Sequence, residues 1–295
     1  MKKKFSIGTA LIHLFFIVTC LTFIIPMIYV LSISFSSEKA ISDFGYSLIP
    51  KVWSVDAYKH IFRNPDQVIY SYQTTIFFSL VGSFASLLVM ALVAYPLSRQ
   101  NFKLRQPITF FIFFTMLFGG GLIPTYILNT QYLHLGNTIW IYILPGLASA
   151  WYIIIIRTFF SQLPQSLVES AKVDGAKELR IFFQIVLPLS KPVLATVLLM
   201  TLLNKWNDWY TSLIYIRDSK LYSLQYMLQK MLREAEFVKG LSNSQMGLNI
   251  QLETEVPTES VRFAMVIVAA GPMLVVFPFF QKYFTRGLTV GAVKG

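Results

Sequence analysis

Residues 11–35 read LIHLFFIVTCLTFIIPMIYVLSISF, a run without a single Asp, Glu, Lys or Arg. Behind Met1-Lys2-Lys3-Lys4 it imitates a secretory signal, but a signal core spans about 7–15 residues before a small-residue cleavage site. A helix needs about 20 apolar residues to cross the hydrocarbon core. The run therefore predicts a retained first transmembrane helix. Windows of the same kind recur at 74–97, 108–128, 138–156, 193–214 and 261–281, each bounded by charged or turn-forming residues. The expectation is an all-α, polytopic membrane protein with six transmembrane helices, forming a single transmembrane domain over 1–295. Pro26, Pro96, Pro124, Pro145, Pro272 and Pro278 lie within or beside these runs. Such prolines are tolerated in a membrane where neighbouring helices re-satisfy the freed carbonyls, so they predict kinks.

Composition agrees with a bilayer. Of 295 residues, 55% are hydrophobic and 13% charged, with a mean hydropathy of +0.59, whereas a soluble domain carries about 25% charged residues. The net charge of +11 does not point to nucleic acid, because the basic residues are scattered between apolar blocks instead of gathered on one face. Topology accounts for it: with the N-terminus in the cytoplasm, the excess of Lys and Arg falls on inner segments. The short inner turn 99–107 holds Arg99, Lys103 and Arg105, while the short outer turn 129–137 holds none, as the positive-inside rule requires. Both termini are expected in the cytoplasm of a multi-pass cell-membrane protein. Cys20 is the single cysteine, and His13, His60 and His134 are remote from one another, so neither a disulfide nor a metal site is expected.

Two outer segments, 36–73 and 215–260, are too long to be mere turns. In the second, Leu221, Leu224, Leu228 and Met231 recur at helical spacing, which predicts an amphipathic external helix that either caps the bundle or meets a partner.

The longest inner loop, 157–192, is built like two short helices and a turn. Pro164 suits a first helical turn, Gly175 suits a left-handed stop after Asp174, and a second helix is expected from Ala176 until Pro188 denies it a donor. Leu179, Phe182, Phe183 and Val186, with Ile185 beside them, form an apolar stripe on a segment facing water. Such a stripe either meets a partner or packs on the inner ends of the chain's own helices.

Glu169-Ser170-Ala171-Lys172-Val173-Asp174-Gly175-Ala176, followed by Phe182, Ile185, Leu187-Pro188 and Pro192, resembles the EAA loop of ABC importer permeases. The pattern departs at Ser170, where alanine is common in the family; serine is also small. Trp206-Asn207-Asp208, the run Phe118 to Pro124 with its three glycines, and the end Gly291 to Gly295 extend the similarity to maltose-type carbohydrate permeases, LplC/YtcP-like branch. The resemblance implies a type I importer permease architecture and a coupling role for Glu169, Ser170, Ala171, Asp174, Gly175, Ala176, Phe182, Ile185, Leu187 and Pro188. It implies as partners a second, homologous permease subunit, two ATP-binding subunits, an extracytoplasmic solute-binding protein and a saccharide, with the outer segment 215–260 meeting the solute-binding protein and the tail 291–295 reaching toward the ATP-binding pair. ATP and Mg would then sit on the partner ATPase, with no cofactor bound by this chain.

Lys205, Trp206, Asn207, Asp208 and Trp209 fall roughly 20 Å into the fifth span at 1.5 Å per residue. Polar groups at that depth rarely face lipid. They either line a water-filled substrate path, with Asn207 offering donor and acceptor to hydroxyls and Trp206 or Trp209 a stacking face, or form an anchoring interfacial pair. Gly119, Gly120 and Gly121 either unwind the third span beside that path or let helices approach closely, and close packing is the favoured expectation.

No G-x-x-x-x-G-K-[ST] or H-E-x-x-H pattern occurs, so ATP hydrolysis is not expected of this chain. The alternatives are an importer permease for a non-sugar solute, a membrane enzyme of lipid-linked sugar metabolism, which would need acidic or histidine clusters at a membrane face, and a secondary transporter, which six helices without an evident repeat oppose.

Overall fold

A computed structural model describes residues 7–243 and 258–291. The partner contacts expected of residues 244–257 and 292–295 fall outside the described residues, as do Lys2 to Lys4. Among the described residues every element is helical apart from one bridge between Ser36 and Trp53. The chain divides into two compact units, residues 1–68 with 228–272 and residues 69–227 with 273–295.

The first unit begins with α1 (Ile7–Ser34), where Thr19 and Thr22 return their hydroxyl protons to the carbonyls of Phe15 and Val18. No residue in the apolar window of α1 is buried. Outside it, α2 (Glu38–Phe44) is capped by Ser37 and stopped by Gly45 at φ +71°, and α3 (Asp56–Ile61) follows. The Glu38 carboxylate accepts hydrogen bonds from the backbone N–H groups of Glu259 (3.0 Å) and Ser260 (3.0 Å) and from the Ser260 hydroxyl (2.9 Å). It thereby satisfies donors that the start of the last helix would otherwise leave orphaned. Burial pushes the Glu38 carboxyl up, but these bonds more than offset it and hold it below its ordinary value.

The second unit contains most of α4 (Pro65–Ser98), then α5 (Arg105–Leu117), α6 (Leu122–Ile127) and α7 (Ala150–Ser161). In the loop lie α8 (Gln165–Val173) and α9 (Glu178–Ile181); the latter continues through a π-helical turn, Phe182–Val186, into α10 (Leu187–Leu189). Next come α11 (Lys191–Trp206) and α12 (Tyr210–Tyr215). The remaining helices, α13 (Leu224–Asn243) and α14 (Glu259–Gly291), each run from one unit into the other. Leu224, Met227 and Leu228 of the expected external helix are buried.

Three helices, 8–34, 65–98 and 259–281, are long and apolar enough to cross a membrane alone, and up to five segments are if each of two bent pairs counts as one span. The other predicted spans are not single helices. Residues 108–128 turn through 112° between α5 and α6, because Phe118 to Gly121 leave the helix and Gly121 takes φ +81°. Within the chain a Cβ at Gly119 or Gly121 would meet nothing within 4 Å, and at Gly120 only Pro124 at 3.9 Å. Residues 138–156 contain a short 3-10 turn, Ile139–Tyr142, before α7 begins at Ala150. Residues 193–214 break after Trp206, where Asp208 Oδ1 accepts from the Thr211 N–H at 3.0 Å and starts α12.

Irregular backbone at membrane depth persists only where protein satisfies it. Here the buried ammonium of Lys205 donates to the Tyr142 carbonyl at 2.8 Å, and the Ser86 hydroxyl to the Gly146 carbonyl at 3.2 Å. Gly82 makes room for that lysine: a Cβ there would stand 2.9 Å from Lys205 Cε.

Candidate functional site

The loop helices are held by the core of the spans. Met90, Ala91, Ala94 and Leu97 of α4, Ile153, Ile156 and Phe160 of α7, and Val197 of α11 pack in one cluster with Val168, Ile181, Phe182 and Val186 of the loop. The loop helices are thus packed tightly on the adjoining ends of α4, α7 and α11, and close-packed interiors do not deform freely.

Local chemistry explains the loop's sequence. Pro164 precedes α8, and Gln165 donates to Glu169 at 2.8 Å across one turn. The end of α8 is a Schellman motif: the Gly175 N–H donates to the Lys172 carbonyl at 3.0 Å and the Ala176 N–H to the Ala171 carbonyl at 2.9 Å. Gly175 carries φ +78°, the left-handed residue the motif needs. Ala171 and Ala176, brought together by the second of these bonds, are both partly buried against the core. Small residues at 171 and 176 with glycine at 175 thus form one device that reverses the chain.

The second helix departs from expectation at its end. It passes Pro188 and stops at Ser190, because the preceding turn widens to π geometry, with the Leu187 N–H donating to the Phe182 carbonyl. A wide turn relieves the clash of a proline ring with the carbonyl four residues earlier. It also shifts the helix phase and splits the predicted apolar stripe. Phe182 and Val186 are fully buried in the chain's own core, while Leu179 is 66% and Phe183 50% exposed. Phe182 is thus no exposed anchor; it packs on Tyr95 at 5.3 Å. Val173, at 87% exposure, joins Leu179 and Phe183 among the exposed apolar side chains of the loop. Glu169, Ser170, Asp174, Gly175 and Pro188 are exposed, and Ala171, Ala176, Ile185 and Leu187 half-buried.

Sequence reasoning missed Tyr95, Arg99, Lys172 and Glu178. Glu178 opens the second helix, and its carboxylate takes Lys172 Nζ at 2.6 Å and the Tyr95 hydroxyl at 2.6 Å. Hydrogen bonds from Lys172 and then Tyr95 hold its carboxyl below the ordinary value, against opposing desolvation. Arg99 lies over the Tyr95 ring at 4.7 Å. These groups border a cavity of about 570 Å³ between the C-terminal end of α4 and the loop helices, reaching Glu169 and Leu179. The missing signal was the spacing Lys172 to Glu178 across a glycine turn.

The residues expected along a membrane path lie at two places, the α11–α12 break and the α5–α6 bend. Trp206 is 3% exposed and presents no stacking face. Asn207 is exposed, donates to the Leu203 carbonyl at 2.9 Å and accepts from Gln225 at 3.3 Å. Asp208 is committed to the Thr211 backbone, and Trp209 is half-buried beside Tyr210 at 5.8 Å. Gly120 and Gly121 lie in the α5–α6 bend with none of these side chains near them. Among the described residues no group of three or more His, Cys, Asp or Glu side chains could hold a metal ion.

Residues 87–290 match the family described as the binding-protein-dependent transport system inner membrane component. The chain is 37% identical over 285 residues to the polygalacturonan/rhamnogalacturonan transport system permease protein YtcP of Bacillus subtilis, covering 97% of each chain. It is 38% identical over 273 residues to protein LplC of the same organism, covering 92% of this chain and 90% of that one. Its structure is similar to that of a bacterial ABC transporter involved in the import of the acidic polysaccharide alginate, with a TM-score of 0.78, 29% identity, and coverage of 95% of this chain and 99% of the other.

Proposed function

The chain belongs to the family of binding-protein-dependent transport system inner membrane components, and from that premise we propose that it forms half of the membrane pathway of an importer for an oligosaccharide. It is a transport permease and not itself an enzyme, a multi-pass protein of the cell membrane. The six-span topology with cytoplasmic termini, in one membrane domain, belongs to this reading, supported by the Lys and Arg of the short inner turn. The partners are a second permease, two ATP-binding subunits that hold ATP and Mg, and an extracytoplasmic solute-binding protein. The saccharide assignment is supported by relatives named for polygalacturonan, rhamnogalacturonan and alginate transport.

The observation that carries the mechanism is the loop. Its inner face is part of the core of α4, α7 and α11, and its outer side bears Val173, Leu179 and Phe183 with Glu169 and Asp174. An ATP-binding subunit seated there gains apolar contact area, and a rigid-body movement of that subunit reaches the spans through Phe182 and Val186. Glu169, Ser170, Ala171, Asp174, Gly175, Ala176, Phe182, Ile185, Leu187 and Pro188 all serve this device. Glu169 and Asp174 offer charge to the partner, and Gly175 with the two alanines sets the reversal. Phe182, Ile185, Leu187 and Pro188 fix the second helix on the bundle. Along the path, Asn207 is the residue of 206–209 that can meet a sugar hydroxyl, while Trp206, Asp208 and Trp209 hold the α11–α12 break and Gly120 and Gly121 the α5–α6 bend.

Reconstitution of the two permeases with the ATP-binding and solute-binding proteins tests the reading. Oligosaccharide presented by the binding protein should stimulate ATP hydrolysis, and no stimulation by neutral or acidic oligosaccharides would count against a saccharide.

A further inference from the structure

Residues 45–53 fold back along the last turn of α1. At one end Trp53 bridges Ser36, and the Ser37 N–H donates to the Val52 carbonyl at 3.0 Å, just beyond the helix. At the other the Ser32 hydroxyl donates to the Ser47 carbonyl at 2.8 Å, inside the helix, which runs to Ser34. Tyr46 gives a second measure of depth, from α14: its ring packs edge-on against Phe263 at 5.7 Å. Phe263 directly follows Arg262 and opens a run to Gln281 without a charged residue. The segment is therefore level with the place where two apolar spans reach their polar ends. Between Phe44 and Val55 Lys51 is the one charged residue, and its ammonium stands over the Phe44 ring at 4.6 Å. Phe44, Tyr46, Leu48, Ile49, Val52 and Trp53 are all exposed, Ile49 by 74%. Irregular backbone facing lipid does not occur within the hydrocarbon layer, whereas the headgroup layer hydrates it. Trp and Tyr concentrate in that layer, and a lysine there lays its stem on apolar surface with its charge toward water and lipid phosphate. Depth, composition and the sign of the single charge thus agree on one occupant.

We propose that residues 45–53 are an interfacial anchor, inserted into the phospholipid headgroup layer at the membrane face where α1 ends. Leu48 and Ile49 reach the acyl boundary and Lys51 meets lipid phosphate. The anchor fixes the depth of α1 and of the first turns of α14. In the topology proposed above this is the outer face, but the inference rests only on α1 and α14 crossing the membrane, not on sidedness or cargo.

The test uses the assembled importer in lipid nanodiscs, with Cys20→Ser and partner subunits free of cysteine. A nitroxide spin label is placed at Ile49→Cys, at Leu48→Cys, or at Lys59→Cys on α3, where the lysine side chain is exposed. Power saturation compares access of oxygen, which concentrates in lipid, with access of a water-soluble nickel chelate. Labels at 48 and 49 should favour oxygen, and the label at 59 the nickel chelate. Labels at 48 and 49 as open to nickel as that at 59 overturn the inference, since the segment is then solvated. Labels closed to both reagents also overturn it, since the segment is then covered by the second permease or the solute-binding protein. A label at Phe23→Cys, near the middle of α1, separates the two levels of the argument. Closed to nickel, it leaves α1 standing as a span whatever residues 45–53 do; open to nickel, it overturns both.

Discussion

The Tyr95 hydroxyl donates to the Glu178 carboxylate at 2.6 Å, joining the last turns of a 34-residue span to the first turn of the second loop helix. The Lys172–Glu178 pair beside it is about half exposed, and exposed ion pairs contribute only about 0–1 kcal/mol. The tyrosine bond, on a side chain 8% exposed, is thus the stronger tie. Tyr95→Phe removes a hydrogen bond to a charged group, worth about 1.5–3 kcal/mol. Thermal melting of the purified complex should show the loss, and substrate-stimulated ATP hydrolysis should fall more than basal hydrolysis.

The same carboxylate predicts a pH dependence. The folded-state pKa of Glu178 is depressed, so its contribution is present above the ordinary carboxylate range and is lost as pH falls through the folded value. Hydrogen exchange of residues 165–189, corrected for intrinsic rate, should accelerate as pH falls below about 4. In Glu178→Gln the acid-dependent part of that acceleration should disappear.

At Gly175 the backbone sets the cost, since a Cβ there meets nothing within 4 Å. Gly175→Ala should destabilise the loop by about 1 kcal/mol and Gly175→Val by more, with Gly175→Asn better tolerated because asparagine enters the left-handed region. The order Asn, Ala, Val in retention of the ATP-binding subunit checks this. Equal retention in all three would show that the Schellman turn does not set the docking geometry.

Lys205→Met removes the donor to the Tyr142 carbonyl while keeping much of the chain's volume. An unsatisfied buried acceptor costs about 1–3 kcal/mol, so the variant should melt earlier or accumulate less in the membrane. A stability equal to the parent would mean that the broken segment 138–149 finds its donors elsewhere.

The loop was legible because its signals are local: Pro164 before a helix, Gly175 in the left-handed region, small residues at 171 and 176. The division of the stripe was not: Phe182 and Phe183 are neighbours about 100° apart on a helix, either of which the core could take, and the π turn at 182–186 brings Val186 round to the side of Phe182. Trp206 was misjudged for a related reason: residues beside a helix break share no fixed face, and Trp206 turns into the core while Asn207 turns out. The three glycines at 119–121 carry the same composition whether they pack or bend, and the left-handed backbone at Gly121 appears only in the structure. Glu38, which caps α14 from 221 residues away, has no sequence signal at all.

The central claim is that the exposed side of 165–189 seats the ATP-binding subunit while its buried side carries the motion to the spans. It is tested most directly by binding-protein- and oligosaccharide-stimulated ATP hydrolysis in proteoliposomes, comparing Leu179→Asp/Phe183→Asp with Phe182→Ala. The account predicts that the double surface variant melts like the parent in the isolated permease pair but loses the ATP-binding subunit and its stimulation. Phe182→Ala should instead destabilise the permease itself by about 3–5 kcal/mol. Full stimulation in the double variant, with the subunit retained, would contradict the account.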